Sequence, residues 1–199
     1  MKSTTFILIP GLNDRKSFFN TFYAFICRHW RRAGMQSVFV SVGWEDGTSF
    51  EAKVKKIEKY LDAEVEQGRE VVLVGVSAGA SLAMVLFGRH PHKIAGVVTV
   101  VGLLALAKGV GVESVNQAWY QSAQACEQVV ARLTPDEKKR IFILYAFKDS
   151  VIDPKRQQLA GVKKRRVPAV GHLLSIGIGL FNYRRVIKRF AQRLLASKG

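Results

Sequence analysis

Cysteine, histidine and acidic side chains are all scarce in this chain of 199 residues, and each scarcity removes a class of protein. The two cysteines, Cys27 and Cys126, lie far apart in segments with helical patterning. A disulfide framework and a paired thiolate metal site are therefore both excluded, and free thiols in a reducing compartment are expected. The four histidines show no metal-ligand spacing, and neither a dinucleotide-binding glycine turn nor a phosphate loop is present. We expect no cofactor and no metal. The longest apolar run, residues 94–107, falls short of the roughly 18 residues that a membrane span needs. The apolar run at residues 6–9 stops at Pro10-Gly11, too soon for a signal peptide. A cytoplasmic protein is the default expectation. Repeats and low-complexity segments are also missing, and the length suits one domain over residues 1–199.

Acidic residues number 15 against 31 Lys and Arg, a net charge of +16. Such an excess favours anionic surfaces through long-range attraction. The basic residues are spread over several helical segments, with no recognition motif and no basic strand interleaved with aromatics. Nucleic acid is therefore not the expected partner.

What the sequence does have is an alternation of short apolar runs and helix-length patterns. Residues 4–9, 36–42, 70–75, 94–101, 141–147 and 163–167 read as strands, and the one at 94–101 is apolar throughout, as a strand covered on both faces should be. Between them lie helical patterns at about 14–32, 50–67, 78–90 and 114–133, and a last one at 182–196. In the first, Phe18, Phe19, Phe22, Phe25, Ile26 and Trp30 recur at steps of three and four and form the expected buried face. In the last, Val186, Phe190 and Leu194 are expected to face the core. Thr134-Pro135-Asp136-Glu137 reads as a helix cap, and Lys108-Gly109-Val110-Gly111 as a flexible connection. Strands separated by helices imply right-handed crossovers, hence a three-layer α/β/α architecture with a mainly parallel sheet of about six strands. Chemistry in such sheets gathers at the carboxyl ends of the strands.

One stretch organises the rest. Residues 70–81 read EVVLVGVSAGAS, an apolar strand that passes through Gly75-Val76-Ser77-Ala78-Gly79 into an apolar helix. This GxSxG pattern is a nucleophile elbow, in which a serine is held on a strained strand-to-helix turn. Glycines two before and two after the serine are required where strand and helix crowd together. A chain of this length contains the pattern by accident about one time in ten, so its surroundings must decide.

A serine hydroxyl needs a base within hydrogen-bond reach and a third group to orient that base. His29 lies within the first helix, while His90 and His92 flank Pro91 at the opposite end of the elbow helix. His172, in Ala169-Val170-Gly171-His172-Leu173-Leu174 after the last strand, is placed to return to the serine. After the fifth strand, Asp149 and Asp153 are both available as the acid. Asp149 is favoured because it comes first after the strand, whereas Asp153 beside Pro154 reads as a helix cap.

The order Ser77, Asp149, His172, the Asp-x-x-Val/Ile stretch and Gly171-His172-Leu173-Leu174 resemble the α/β-hydrolase superfamily, in particular small bacterial esterases, thioesterase-like and lysophospholipase-like members. The resemblance spans nearly the whole chain. It implies a minimal α/β-hydrolase fold without a long cap, and an oxyanion hole from the Ala78 N–H and one N–H of the loop after the first strand. That loop often carries His-Gly in the family but reads Pro10-Gly11-Leu12 here, which makes Leu12 the second donor. Trp44, Leu103 and Leu173 could line a substrate pocket or belong to the core. The expected function is cofactor-free hydrolysis of a small-molecule carboxylic ester or thioester through Ser77, His172 and Asp149. An amidase or peptidase on the same residues, and a noncatalytic binding or scaffold protein using its basic surface, are the alternatives.

Overall fold

A computed structural model describes residues 3–105 and 116–196. Its centre is a parallel sheet of β1 (Thr4–Ile9), β2 (Gln36–Phe39), β3 (Glu70–Val76), β4 (Ile94–Val100), β5 (Ile141–Lys148) and β6 (Lys163–Val170). The spatial order is β2-β1-β3-β4-β5-β6, and every neighbouring pair is parallel. The helices are α1 (Ser17–Arg32), α2 (Phe50–Glu66), α3 (Ala78–Arg89), α4 (Gln117–Arg132), the short α5 (Pro135–Lys139), α6 (His172–Phe181) and α7 (Arg184–Ala196).

Alternate residues of the inner strands β1, β3, β4 and β5 feed two separate cores, because successive side chains point to opposite faces of a sheet. Ile7, Ile9, Val71, Leu73, Ile141 and Ile143 pack against α2, α3 and α4. Phe6, Leu8, Val72, Val74, Phe142 and Leu144 pack against α1, α6 and α7. β3 sits in the middle with Val71 to Val74 fully buried, so its carboxyl end is an enclosed position on the sheet edge. Thr134 and Glu137 form the expected cap, a capping box at α5, and at α2 Ser49 Oγ accepts from Ala52 N.

The structure differs from the sequence reading in several places, among them β2, which ends at Phe39 where a strand to residue 42 was expected. Residues 172–181, which lie in none of the expected helices, form α6, whose Gly179 lets it lie directly on β4: a Cβ there would stand 2.9 Å from Val100 Cγ1. β6 runs three residues further than expected, to Val170. In α1 the inward face is Tyr23, Ile26, Cys27 and Trp30, while Phe18 and Phe25 are 69% and 54% exposed. In α7 the deepest residues are Ile187, Phe190 and Ala191 rather than Val186 and Leu194. The expected flexible piece at residues 108–111 and the first residues of the expected 114–133 helix lie outside the described residues.

Both cysteines are free and buried, and burial pushes the Cys27 thiol up to about 11 and the Cys126 thiol up to about 12, so neither is a thiolate at neutral pH. Among the described residues no helix is long and apolar enough to cross a membrane.

The corrected phase of α1 can be tested directly. Trp30 is fully buried and its Nε1 donates to Leu180 O at 2.8 Å, tying α1 to α6. Trp30→Ala is expected to lower unfolding free energy by about 3–5 kcal/mol in urea titrations. Phe18→Ser, at an exposed site, is expected to change it by less than about 0.5 kcal/mol.

Candidate active site

The elbow is built by steric necessity. Ser77 has φ 51° and ψ −119°, a left-handed conformation that a residue with a Cβ resists at a cost of about 1–3 kcal/mol. The conformation survives because β3 and α3 are locked around it. A Cβ on Gly75 would stand 2.5 Å from both Ala80 Cα and Gly79 O, and one on Gly79 would run into the Ile9 and Pro10 carbonyls. Ser77 N donates to Val100 O at 3.0 Å, and Ala80 N to Ser77 O at 3.1 Å.

The loop after β1 presses on the serine from the other side. Gly11 approaches so closely that a Cβ there would lie 2.9 Å from Ser77 Cβ and 3.3 Å from its Oγ. Leu12 follows in that loop, and Ala78 is the first residue of α3, where backbone N–H groups and the positive helix end face any developing anion. Asp14 anchors the loop. Its buried Oδ2 accepts from Ser41 Oγ at 2.9 Å, Val42 N at 2.5 Å and Gly43 N at 3.0 Å, which ties the end of β1 to the end of β2. Trp44 Nε1 adds a bond to Pro10 O at 3.0 Å.

β5 and β6 deliver the other two groups. Ser77 Oγ is 2.8 Å from His172 Nε2, and His172 Nδ1 is 2.7 Å from Asp149 Oδ2. A carboxylate only accepts, so the Nδ1 proton points to Asp149 and Nε2 is left to accept from the serine hydroxyl. The Asp149 carboxyl is closed off from solvent, whereas the His172 side chain keeps 11% exposure. His172 reaches the serine because Gly171, at φ 96°, turns the chain from β6 straight into α6. Asp149 Oδ1 accepts from Val151 N at 2.8 Å and Ile152 N at 3.2 Å, which fixes the carboxyl plane. Asp153 stands apart from the histidine and caps the 3₁₀ turn Pro154–Gln157, its Oδ1 accepting from Lys155 N at 2.9 Å.

Two features carry no signal in the sequence. Gln157, fully buried at the end of that turn, donates from Nε2 to Asp149 Oδ2 at 3.0 Å and to Ile152 O at 2.8 Å, and its Oε1 accepts from Ala146 N at 2.8 Å. It therefore clamps the Asp149 carboxyl to the end of β5. Among the described residues, the non-glycine residues with positive φ are Asn13, Ser77 and Val101. They follow β1, β3 and β4, three adjacent strands, so backbone strain is concentrated on one edge of the sheet. For the β-branched Val101 this conformation is a genuine outlier.

The expected pocket residues divide. Trp44 and Leu103 are buried at 2% and 6% exposure, Leu103 packing with Ala123 and Ile152, while Leu173 is 60% exposed beside His172. Trp44 also borders a cleft of about 530 Å³ with Glu45, Ser49, Phe50 and Asn116. His29, His90 and His92 are not part of the group around Ser77; His90 Nε2 lies 2.8 Å from Glu58 Oε1 at the far end of α3.

A parallel sheet in this order, with a strained serine at the end of its central strand, is the α/β-hydrolase fold. Solved structures agree with that class. The chain is similar to one of the metagenome-derived lipolytic enzymes LipS and LipT, at 15% identity and TM-score 0.66, over 98% of this chain and 93% of that one. It is similar to Est1E from Butyrivibrio proteoclasticus at 12% identity and TM-score 0.63, over 98% and 89%. It is likewise similar to the monoacylglycerol lipase of Paleococcus ferrophilus at 16% identity and TM-score 0.64, over 98% and 96%. Among curated proteins none matches the sequence. Within the fold class the sequence matches the bacterial virulence protein (VirJ) family over residues 38–178, a span that contains Ser77, Asp149 and His172. The chain belongs to the VirJ family.

Gln157→Leu leaves Ala146 N and Ile152 O without this partner in a buried site, and is expected to lower stability by about 1–3 kcal/mol, read as a fall in melting temperature. Gln157→Glu, which keeps the acceptor for Ala146 N but sets a carboxylate against Asp149, is expected to lower it as well. An unchanged melting temperature in both variants would remove Gln157 from the support of the site.

Proposed function

We propose that the chain is a serine hydrolase that cleaves carboxylic esters or thioesters through an acyl-enzyme. The observation that carries this reading is the continuous line from Ser77 Oγ through the His172 ring to the enclosed Asp149 carboxyl, at 2.8 and 2.7 Å. In this reading Ser77 Oγ attacks the carbonyl carbon while His172 Nε2 takes its proton, and Asp149 stabilises the imidazolium that results. The C–O or C–S bond to the leaving group then breaks, and His172 returns the proton to the departing alcohol or thiol. Water attacks the acyl-enzyme by the same route, releasing a carboxylic acid and restoring Ser77. The Leu12 and Ala78 N–H groups hold the oxyanion in both halves of the reaction.

The surface beside these residues suits an apolar acyl group. Val151 on the acid loop, Val170 at the end of β6, and Leu173 and Leu174 in the first turn of α6 are all more than half exposed. Leu173 therefore supplies acyl contact in this reading, whereas Trp44 and Leu103 shape the site from within the core. Lipases and esterases among the similar structures support ester chemistry over amide cleavage.

A fluorophosphonate probe is expected to label the folded chain and to fail on Ser77→Ala; absence of labelling on folded wild type would favour a noncatalytic protein. With p-nitrophenyl esters, Asp149→Asn is expected to reduce kcat by about 10⁴, because the histidine loses its tautomer. Asp153→Asn is expected to retain most of the activity. The opposite ranking would move the acid to Asp153.

A further inference from the structure

A second feature lies at the other end of the sheet and uses none of the residues around Ser77. The last turn of α1 and the start of α7 enclose a cleft of about 530 Å³, lined by His29, Arg32, Ala33, Met35, Arg184, Arg185 and Lys188. Met35 directly precedes β2, so the cleft opens toward the amino ends of the strands, away from the carboxyl edge that carries Ser77. Four of its side chains are cations, and none of them makes an ion pair among the described residues. This contrasts with Lys53, Arg69, Arg89, Lys93 and Lys139, each of which has a carboxylate partner.

The bonds that hold the cleft go to backbone carbonyls instead. Arg184 Nη1 donates to Phe181 O at 2.9 Å and Lys188 Nζ to Ala33 O at 3.0 Å, which leaves donors on both groups unused. Two buried nitrogens of the lining, His29 Nε2 and Arg184 Nε, have no hydrogen-bond partner among the described residues. Unpartnered buried polar groups are uncommon in folded proteins, and here both line the same cleft. The local electrostatics run the same way. α7 has no acidic residue in its first turn and opens on Arg184-Arg185, so like charges sit where the helix already presents its positive end. Burial, and then the charges of Arg184 and Arg32, hold His29 below the usual histidine range, so at neutral pH the ring adds no further charge to the cleft. That ring stacks on Phe181 with centroids 4.2 Å apart, which makes one wall of the cleft flat and fixed.

We propose that this cleft is a binding site for a phosphate-type oxyanion, a phosphomonoester or phosphodiester, held by Arg32, Arg184, Arg185 and Lys188. Three arginines and a lysine line this one cleft with no carboxylate among the lining residues, and guanidinium groups bind the oxygens of a phosphate with paired, charge-assisted hydrogen bonds. The cleft is larger than the phosphate itself, so it also takes part of the group that carries it. A soluble phosphate compound and a lipid headgroup share this chemistry.

The test uses the full chain, titrated by calorimetry with inorganic phosphate and co-sedimented with vesicles of phosphatidic acid in phosphatidylcholine or of phosphatidylcholine alone. Arg32 and Arg185 are exposed, so Arg32→Ser with Arg185→Ser removes two ligands and is expected to leave the melting temperature unchanged. This pair is expected to weaken phosphate or phosphatidic acid binding by about tenfold or more. Arg189→Ser with Arg193→Ser removes the same charge from α7 outside the cleft and is expected to change binding by less than about threefold. Saturable phosphate binding without vesicle binding assigns the site to a soluble compound. Vesicle binding that excess phosphate reverses assigns it to a headgroup. The proposal is overturned if wild type binds neither phosphate nor phosphatidic acid above the phosphatidylcholine control. It is equally overturned if the two double variants lose binding alike, since diffuse charge would then account for the effect.

Discussion

The constraint on which the rest of the molecule depends is the backbone of Ser77. A left-handed serine at φ 51° is unfavourable by itself and persists only because the parts around it cannot move. The central strand β3 is buried on both faces, Gly75 and Gly79 bring strand and helix to contact distances that no side chain would permit, and Gly11 seals the elbow from the β1 side. Asn13 and Val101 hold the same unfavourable sign of φ after the two flanking strands. The energy stored along this edge is supplied by the two hydrophobic cores below it.

The remaining parts of the site are carried on the neighbouring strands, and their precision comes from hydrogen bonds rather than strain. Asp149 is gripped by two backbone N–H groups and by Gln157, and Gln157 is in turn bound to β5 through Ala146 N. Asp153 stands at one remove, capping the 3₁₀ turn that ends in Gln157. α6 links the two ends of the molecule. It begins with His172 at the carboxyl edge and ends at Phe181, against the basic cleft, with Trp30 bound to Leu180 O on the way.

Much of this is legible in the sequence because its signals are local. Strands covered on both faces show up as unbroken apolar runs, and the elbow declares itself through glycine spacing. Asp149 and Asp153 can be told apart because one leaves a strand and the other precedes a proline. The features that escape are of the opposite kind. α6 and its N-cap carry glycines at 171, 177 and 179, which weaken the helical pattern, and the segment is held as a helix by contact with β4, β5 and β6. In α1 the aromatics surround too much of the helix for periodicity to choose a face, so the pattern points Phe18 and Phe25 inward where the fold buries Tyr23 and Cys27. Gln157 and Asp14 act through tertiary hydrogen bonds between separate segments, and a single glutamine or aspartate has no pattern to reveal it.

The central claim, that Ser77 forms a covalent acyl intermediate, is tested most directly by quenched-flow reaction with p-nitrophenyl acetate followed by mass spectrometry of the digested chain. A burst of about one p-nitrophenol per chain is expected, with the acetyl group on the peptide that contains Ser77. An acetyl group found only on lysines or the α-amine, or hydrolysis without any burst that continues in Ser77→Ala, would contradict it.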